Sequence, residues 1–205
     1  EGEFFGAHHN VNLHPQDIYS LPRGGANSAE VFAWVRAREP EYVILFGTAI
    51  IKDPLLSFYK NRILNMHLGL SPYYRGSGTN FWPLVEGLPE CVGATIHLAT
   101  AEVDAGAVLA QVRPKATADD TCHSLGCKTI IAGTESYLQA LSAYHSGAVA
   151  PVSQNLADGK VFRKRDFSVE AVQRMRDNFT LGMMREYVAY QATRDAKYPV
   201  ISASK

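Results

Sequence analysis

The sequence predicts an α/β fold, a mostly parallel sheet flanked by helices with a helical extension at the C-terminus, and three features carry that prediction. EYVILFG, Glu41 to Gly47, is a short continuous apolar run rich in β-branched and aromatic residues, the pattern of a strand buried on both faces. It follows AEVFAWVRAREP, where Val31, Val35 and Arg38 fall at helical spacing. Further on, DDTCHSLGCKTIIAGTESYLQALSAYHSG reads as one long helix, with cap candidates Asp120 and Thr121 at its start and a stop at Gly147.

The remaining elements follow in order. Asp53 offers an acidic cap and Pro54 a first-turn proline, so DPLLSFYKNR starts a helix after the first strand. RILNMHL is the next strand, VGATIHLA (Val92 to Ala99) another, and AVLAQVRP a further one that ends at Pro114. Between the last two lies the turn-prone AEVDAG. QNLADGKVFRKRDF predicts a hairpin turning at Asp158 and Gly159. SVEAVQRMRDNF, with Ser168 in the cap position and Glu170 close behind, predicts a terminal helix interrupted or ended near Gly182. Residues 1–150 thus form an α/β domain and 151–205 a hairpin and helical extension, with no repeat or low-complexity tract.

Composition narrows the function. Twenty basic residues balance twenty acidic ones, which argues against the basic stripe of a nucleic-acid binder and for a small-molecule partner. No apolar run of about 18 residues occurs, and the start lacks a basic segment followed by an apolar one, so the expectation is a cytoplasmic protein away from membranes. Cys91, Cys122 and Cys127 lack paired short spacings and read as reduced thiols. His8, His9 and His14 have no carboxylate or cysteine at matching spacing, so no metal is expected. Val169, Val172, Met175 and Phe179 form a helical stripe, read first as core packing and second as a homodimer contact.

The chemistry-bearing stretch is NMHLGLSPYYRG. Strand alternation puts Asn65 and His67 on one face, with Leu64, Met66 and Leu68 on the other. As a pair they read equally as half-buried hydrogen-bonding residues or as functional groups at a strand end, where open α/β sheets place their ligand crevice. Asp104, by itself, is an ordinary turn residue. Together the three supply an oxyanion donor, a proton carrier near neutral pH and a carboxylate to orient it.

NMHLGLSPYYRG followed by GATIHLATAEVDAGAVLAQ resembles the family of formyltransferases that use 10-formyltetrahydrofolate, closely over Glu41 to Gln111 and loosely through the following helix. The family pattern falls on Asn65, His67, Pro72, Tyr74 and Gly76, then Gly93, Thr95 and His97, then Asp104 and Gly106. The resemblance implies a Rossmann-like fold and catalysis by Asn65, His67 and Asp104. In that scheme Asn65 and a protonated His67 stabilise the formyl oxygen while Asp104 holds the imidazole and helps move a proton. It implies a folate slot built from Thr48, Ala49, Ile50, Ile51 and Lys52 and from Thr100, Ala101, Glu102 and Val103, with 10-formyltetrahydrofolate as formyl donor. The acceptor is then the amine of a sugar nucleotide or amino metabolite. Hydrolysis of the same folate, and folate binding without catalysis, are the alternatives.

Four features sit around this core. Thr95 and His97 share a face and read as supporting residues. Arg75 and Ser77, with Thr79 and Asn80, form a polar loop that is a candidate acceptor contact beside its plain structural reading. GKVFRKRDF gathers four basic residues and reads as a solvated hairpin, or as a contact to an anionic acceptor. The sequence departs from the family in two places: no strand is evident before Glu41, and Gly69, Leu70, Ser71 and Pro72 replace the usual Ser-Leu-Leu-Pro.

Overall fold

A computed structural model of the chain describes residues 2–6 and 13–202. In chain order the main elements are α1 (Gly2–Phe5), α2 (Ala29–Arg36), β1 (Val43–Phe46), α3 (Leu55–Phe58), β2 (Ile63–Leu68), β3 (Tyr74–Gly76) and α4 (Trp82–Val85). Then come β4 (Ala94–Leu98), β5 (Val108–Val112), α5 (Cys122–His145), β6 (Lys160–Phe162), α6 (Val169–Thr180), α7 (Met183–Ala189) and α8 (Gln191–Asp195). His8 and His9 lie outside the described residues, and among those described no group of His, Cys, Asp or Glu is placed to hold a metal ion.

Three helices, α2, α5 and α6, start at side-chain caps. The Ser28 hydroxyl accepts from Val31 N, Thr121 and Ser124 form a reciprocal capping box on α5, and the Ser168 hydroxyl accepts from Ala171 N. Asp53 accepts from Ser57 N at 3.0 Å, so the acidic residue closes the single turn of α3. Gly182 stands in the left-handed region at φ 89° between α6 and α7, which explains the break there.

The main sheet has the order β1-β2-β4-β5. Its strands are not mostly parallel: β1 and β2 run parallel, while β2–β4 and β4–β5 are antiparallel. Connection length accounts for the β4–β5 pair, since only Ala99 to Ala107 separates those strands, too short for the crossover a parallel pair requires; the long 69–93 connection between β2 and β4 carries β3 and α4. The α/β class, with a central sheet between helices, stands. β1 is also not fully buried. It is an edge strand, α5 lies over β2, β4 and β5, and Ile44 and Phe46 remain 49% and 46% exposed.

Alternation on β2 divides the core. Leu64 and Met66, with Ala94, Ile96, Leu98 and Leu109, pack under α5 against Tyr137 and Ala140. The Tyr137 hydroxyl donates to the Leu64 carbonyl at 2.6 Å. Truncating a fully buried Leu64 or Ile96 to alanine costs about 2–5 kcal/mol by lost transfer energy plus cavity. On the opposite face Ile63 joins Leu45, Ile51, Leu55 and Tyr59. Asn65 and His67 share that second face.

The segment at 154–167 is not a hairpin. β6 pairs in parallel with the distant β3, in register Tyr74 to Lys160 and Gly76 to Phe162, to make a separate two-stranded sheet. The Tyr74 ring stacks on Phe162 at 5.7 Å and the Trp82 ring stacks on Phe162 at 4.7 Å, an aromatic sandwich that outweighs the local turn preference of Asp158 and Gly159. Met175 and Phe179 of α6 pack on the cluster of Leu84, Val92, Leu125 and Tyr187, whereas Val169 is solvent-facing. A buried ion pair pins α8, because Arg194 reaches Glu90 at 2.8 Å and donates to the Gly87 carbonyl. Among the described residues no helix is long and apolar enough to cross a membrane.

Candidate active site

In the antiparallel pairing of β2 with β4, Asn65 stands opposite His97 and His67 opposite Thr95, so all four side chains share one face. The Asn65 amide nitrogen lies 3.1 Å from His97 Nε2. A register irregularity between Ile96 and His97 marks a bulge at this position, a common device for re-aiming a side chain.

Asp104 closes the group from the β4–β5 connection. Its Oδ2 stands 3.3 Å from His67 Nδ1 and accepts from Gly76 N at 2.9 Å, and its Oδ1 stands 3.6 Å from His97 Nε2. Asp104 sits at φ 48°, and the Gln154 amide donates to the carbonyls of Asp104 and Gly106 at 3.0 and 2.6 Å. Gly106 cannot be replaced, because a Cβ there would strike the Leu98 carbonyl.

The turn after β2 is built by Thr95 and Gln111. Thr95 Oγ1 donates to Gly69 O at 2.6 Å and accepts from Ser71 N at 3.0 Å, while Gln111 Nε2 donates to Ser71 O at 2.5 Å. Gly69, at φ 155°, has no room for a side chain, since a Cβ would approach His67 Nε2 and Thr79 Cβ at 2.8 Å each. This close fit accounts for the glycine in the departure from the family's Ser-Leu-Leu-Pro.

Charge states follow from burial. His67, 6% exposed, is pushed below the ordinary value of 6.5 by desolvation, opposed by the Asp104 charge and by its bond to the Tyr74 carbonyl. Burial alone would raise Asp104, but the nearby His97 ring, the His67 charge and the Gly76 N–H together hold it below its ordinary 3.8. The expectation that a protonated His67 donates to a substrate oxygen meets a competitor: its Nε2 is 2.9 Å from the Tyr74 carbonyl. With Nε2–H given to that carbonyl, the remaining functional atom is Nδ1, beside Asp104. Burial also pushes the Cys91 thiol up to about 12, so it is no thiolate nucleophile.

A cavity of about 720 Å³ opens on this face, lined by Asn65, His67, His97 and Asp104. Thr48, Ala49, Ile50 and Ile51 line it from the loop after β1, and Thr100, Glu102 and Val103 from the loop after β4. Lys52 and Ala101 stand at the ends of these loops outside the lining. Ser77, Thr79 and Asn80 also line the cavity. Arg75 does not: it is buried, with Nη1 3.3 Å from Glu102 and 3.5 Å from the Val103 carbonyl, fastening one loop to another.

Two contributors had no signal in the sequence. Asn27 donates to Ile50 O at 2.9 Å and accepts from Lys52 N at 2.7 Å, bracketing the loop after β1 from the segment before α2. Gln154 braces the Asp104 turn from a position after α5. Neither belongs to a local motif.

The formyl transferase family model matches residues 9–141, which contain the whole Asn65, His67, Asp104 constellation. The chain belongs to the formyl transferase family. This formyl transferase chain is 32% identical to a methionyl-tRNA formyltransferase of Anaeromyxobacter sp. (strain K) over 133 residues, 64% of this chain and 42% of the relative. It therefore spans less than half the length of the curated relatives it matches. Among solved structures it is similar to phosphoribosylglycinamide formyltransferase from Streptococcus pneumoniae TIGR4, with 29% identity, 57% of this chain and 65% of that one covered, and a TM-score of 0.52. The formyltransferase PseJ from Anoxybacillus kamchatkensis, solved with UDP-4,6-dideoxy-4-formamido-L-AltNAc and tetrahydrofolate, shares the fold at 19% identity and TM-score 0.58, with 80% of each chain covered.

Proposed function

We propose that this chain transfers a formyl group from 10-formyltetrahydrofolate to the amine of a small-molecule acceptor, a sugar nucleotide or amino metabolite. The observation that carries the reading is the convergence of Asn65, His67 and Asp104 on one wall of a cavity whose neighbouring wall is formed by the 48–51 and 100–103 loops. Its volume falls within the range that encloses a ligand of drug size. Ile50, half exposed, offers an apolar surface for a planar ring, and the loop backbone around it offers polar groups for the ring's edge. These residues fit the folate.

The donor supplies a formyl carbon already activated as an amide. Asn65 Nδ2 carries two hydrogens, of which one is given to His97 Nε2, leaving the other for the formyl oxygen as it gains charge. Such a donor is worth about 10²-fold to 10³-fold in rate. The attacking nitrogen must lose a proton, and His67 Nδ1, neutral at pH 7 and 3.3 Å from an ionised Asp104, is the base positioned to receive it. The imidazolium so formed is held at both nitrogens, by Tyr74 O and Asp104 Oδ2. The carbon–N10 bond then breaks, and the proton leaves with tetrahydrofolate.

The test is to incubate the chain with 10-formyltetrahydrofolate, first alone and then with amino-sugar nucleotides, other amines and methionyl-tRNA, following tetrahydrofolate release and acceptor mass. Release that depends on a small amine, and that is lost in Asn65→Ala, His67→Ala and Asp104→Ala, is expected. Release without any amine would make the chain a hydrolase, and folate binding without release would make it a binding module.

A further inference from the structure

The basic segment after β6 belongs to the wall of the cavity. Besides the two folate-side loops, the lining includes Ser77 to Phe81 and Val161 to Lys164. β6 is clamped there: Phe162 stacks between Tyr74 and Trp82, and Ser77 N donates to the Phe162 carbonyl at 2.8 Å. A Cβ on Gly76 would collide with that same carbonyl. Arg163 and Lys164 are therefore delivered to the cavity by a strand fixed to β3, and are not borne on a solvated hairpin.

The charges of the lining do not cancel them. Glu102 is paired with Arg75 at 3.3 Å, and Asp104 faces His67 and His97. Asp166 accepts from the Arg163 backbone N–H at 2.6 Å. Among the described residues, neither the Arg163 nor the Lys164 side chain has a carboxylate within ion-pair distance or a hydrogen-bond partner. Two unpaired cations on the wall of a reaction cavity are suited to a phosphate group, guanidinium by paired donors and ammonium as a point charge.

We infer that Arg163 and Lys164 form the anion-binding end of the acceptor site and hold a phosphate or diphosphate of the acceptor while its amine reaches Asn65 and Asp104. This rests on the proposed formyl transfer. A pair of cations in a cavity, on a chain of balanced charge, suits a small phosphate ester and not a polynucleotide, which would need a longer basic track.

The double variant Arg163→Gln/Lys164→Gln tests it, since both side chains are exposed and their loss leaves the core intact. Titration with inorganic pyrophosphate, followed by amide NMR shifts, is expected to perturb Ser77, Gly78, Arg163 and Lys164. Affinity should be weaker by about tenfold or more in the double variant, with 5-formyltetrahydrofolate binding unchanged. Where the wild type formylates a phosphorylated amine, the variant should raise its KM by a similar factor and leave turnover of the dephosphorylated amine unchanged. Formyl transfer with equal pyrophosphate affinity in both proteins overturns the anion site alone. Pyrophosphate binding lost in the variant, with no amine ever formylated, keeps the anion site and removes the reaction. Loss of transfer-RNA binding in place of pyrophosphate binding overturns the assignment to a small acceptor.

Discussion

Asn65 and His97 are cross-strand partners whose side chains meet, the Asn65 amide nitrogen 3.1 Å from His97 Nε2. His97 Nδ1 lies 2.9 Å from the Leu98 carbonyl and donates to it, so Nε2 is the acceptor and the nitrogen end of the Asn65 amide must face it. His97 thus decides which way the Asn65 amide, the proposed oxyanion donor, points. His97→Ala is expected to lower kcat about 10-fold to 100-fold, part of the value of one such donor, with KM for the folate little changed. His97→Gln, which can restore an acceptor, should recover part of the loss. Steady-state kinetics on the three proteins checks this, and an unaltered kcat in His97→Ala would show that the contact has no role in orientation.

The His67–Asp104 pair makes a prediction about pH with a definite sign. Burial lowers His67 below 6.5 and the Asp104 charge opposes that lowering, so Asp104→Asn should move the imidazole midpoint further down in an NMR titration. The unfolded chain takes up this proton near 6.5 and the folded one only below it. Stability from His67 is therefore fully present above 6.5 and is lost as pH falls through the folded midpoint. Urea unfolding at pH 7.5 and pH 5 should show the lower value at pH 5. A midpoint that rises in Asp104→Asn would contradict the geometry.

Gln154 braces the turn that presents Asp104. Gln154→Leu leaves the Asp104 and Gly106 carbonyls without their donor, at a cost of about 1–3 kcal/mol in unfolding free energy. Because Asp104 is held at a positive φ of 48°, relaxation of the turn should cut kcat more than it raises KM. Gln154→Glu, which sets a carboxylate against two carbonyls, should be worse on both measures. Stability loss with kcat intact would make Gln154 a structural brace only.

Asn27 makes the complementary prediction for the proposed folate loop. Its side chain ties Ile50 O to Lys52 N, so Asn27→Ala should loosen the loop after β1 and weaken 5-formyltetrahydrofolate binding about fivefold by calorimetry. The kcat at saturating donor should hold, since the bracket touches no reacting group. Equal affinity in both proteins would separate this loop from the folate.

Much of the chain was legible because its signals are local. A capping serine and the backbone N–H it satisfies lie three residues apart, and the Asn65, His67 and Asp104 spacing is carried by one strand and one turn. Directions of pairing were not: the apolar run of β1 looks the same whether both faces are covered or, as here, Ile44 and Phe46 are left at a sheet edge. The turn dipeptide Asp158-Gly159 predicts a local hairpin, yet its strand pairs with one more than eighty residues earlier.

The sequence by itself determined α2, α3, α5 and α6, the four strands of the main sheet, the ordered constellation of Asn65, His67 and Asp104 and, through it, the formyl transferase family. Each of these depends on residues a few positions apart or on chemistry written in a motif. Only the tertiary structure decided that His97 orients Asn65, that His67 Nε2 is committed to Tyr74, and that Arg75 is buried while Arg163 and Lys164 line the cavity. Those outcomes depend on which distant segments pack together. The stacking of Phe162 between Tyr74 and Trp82 is worth more than any preference within the basic segment, and it carries that segment to the site.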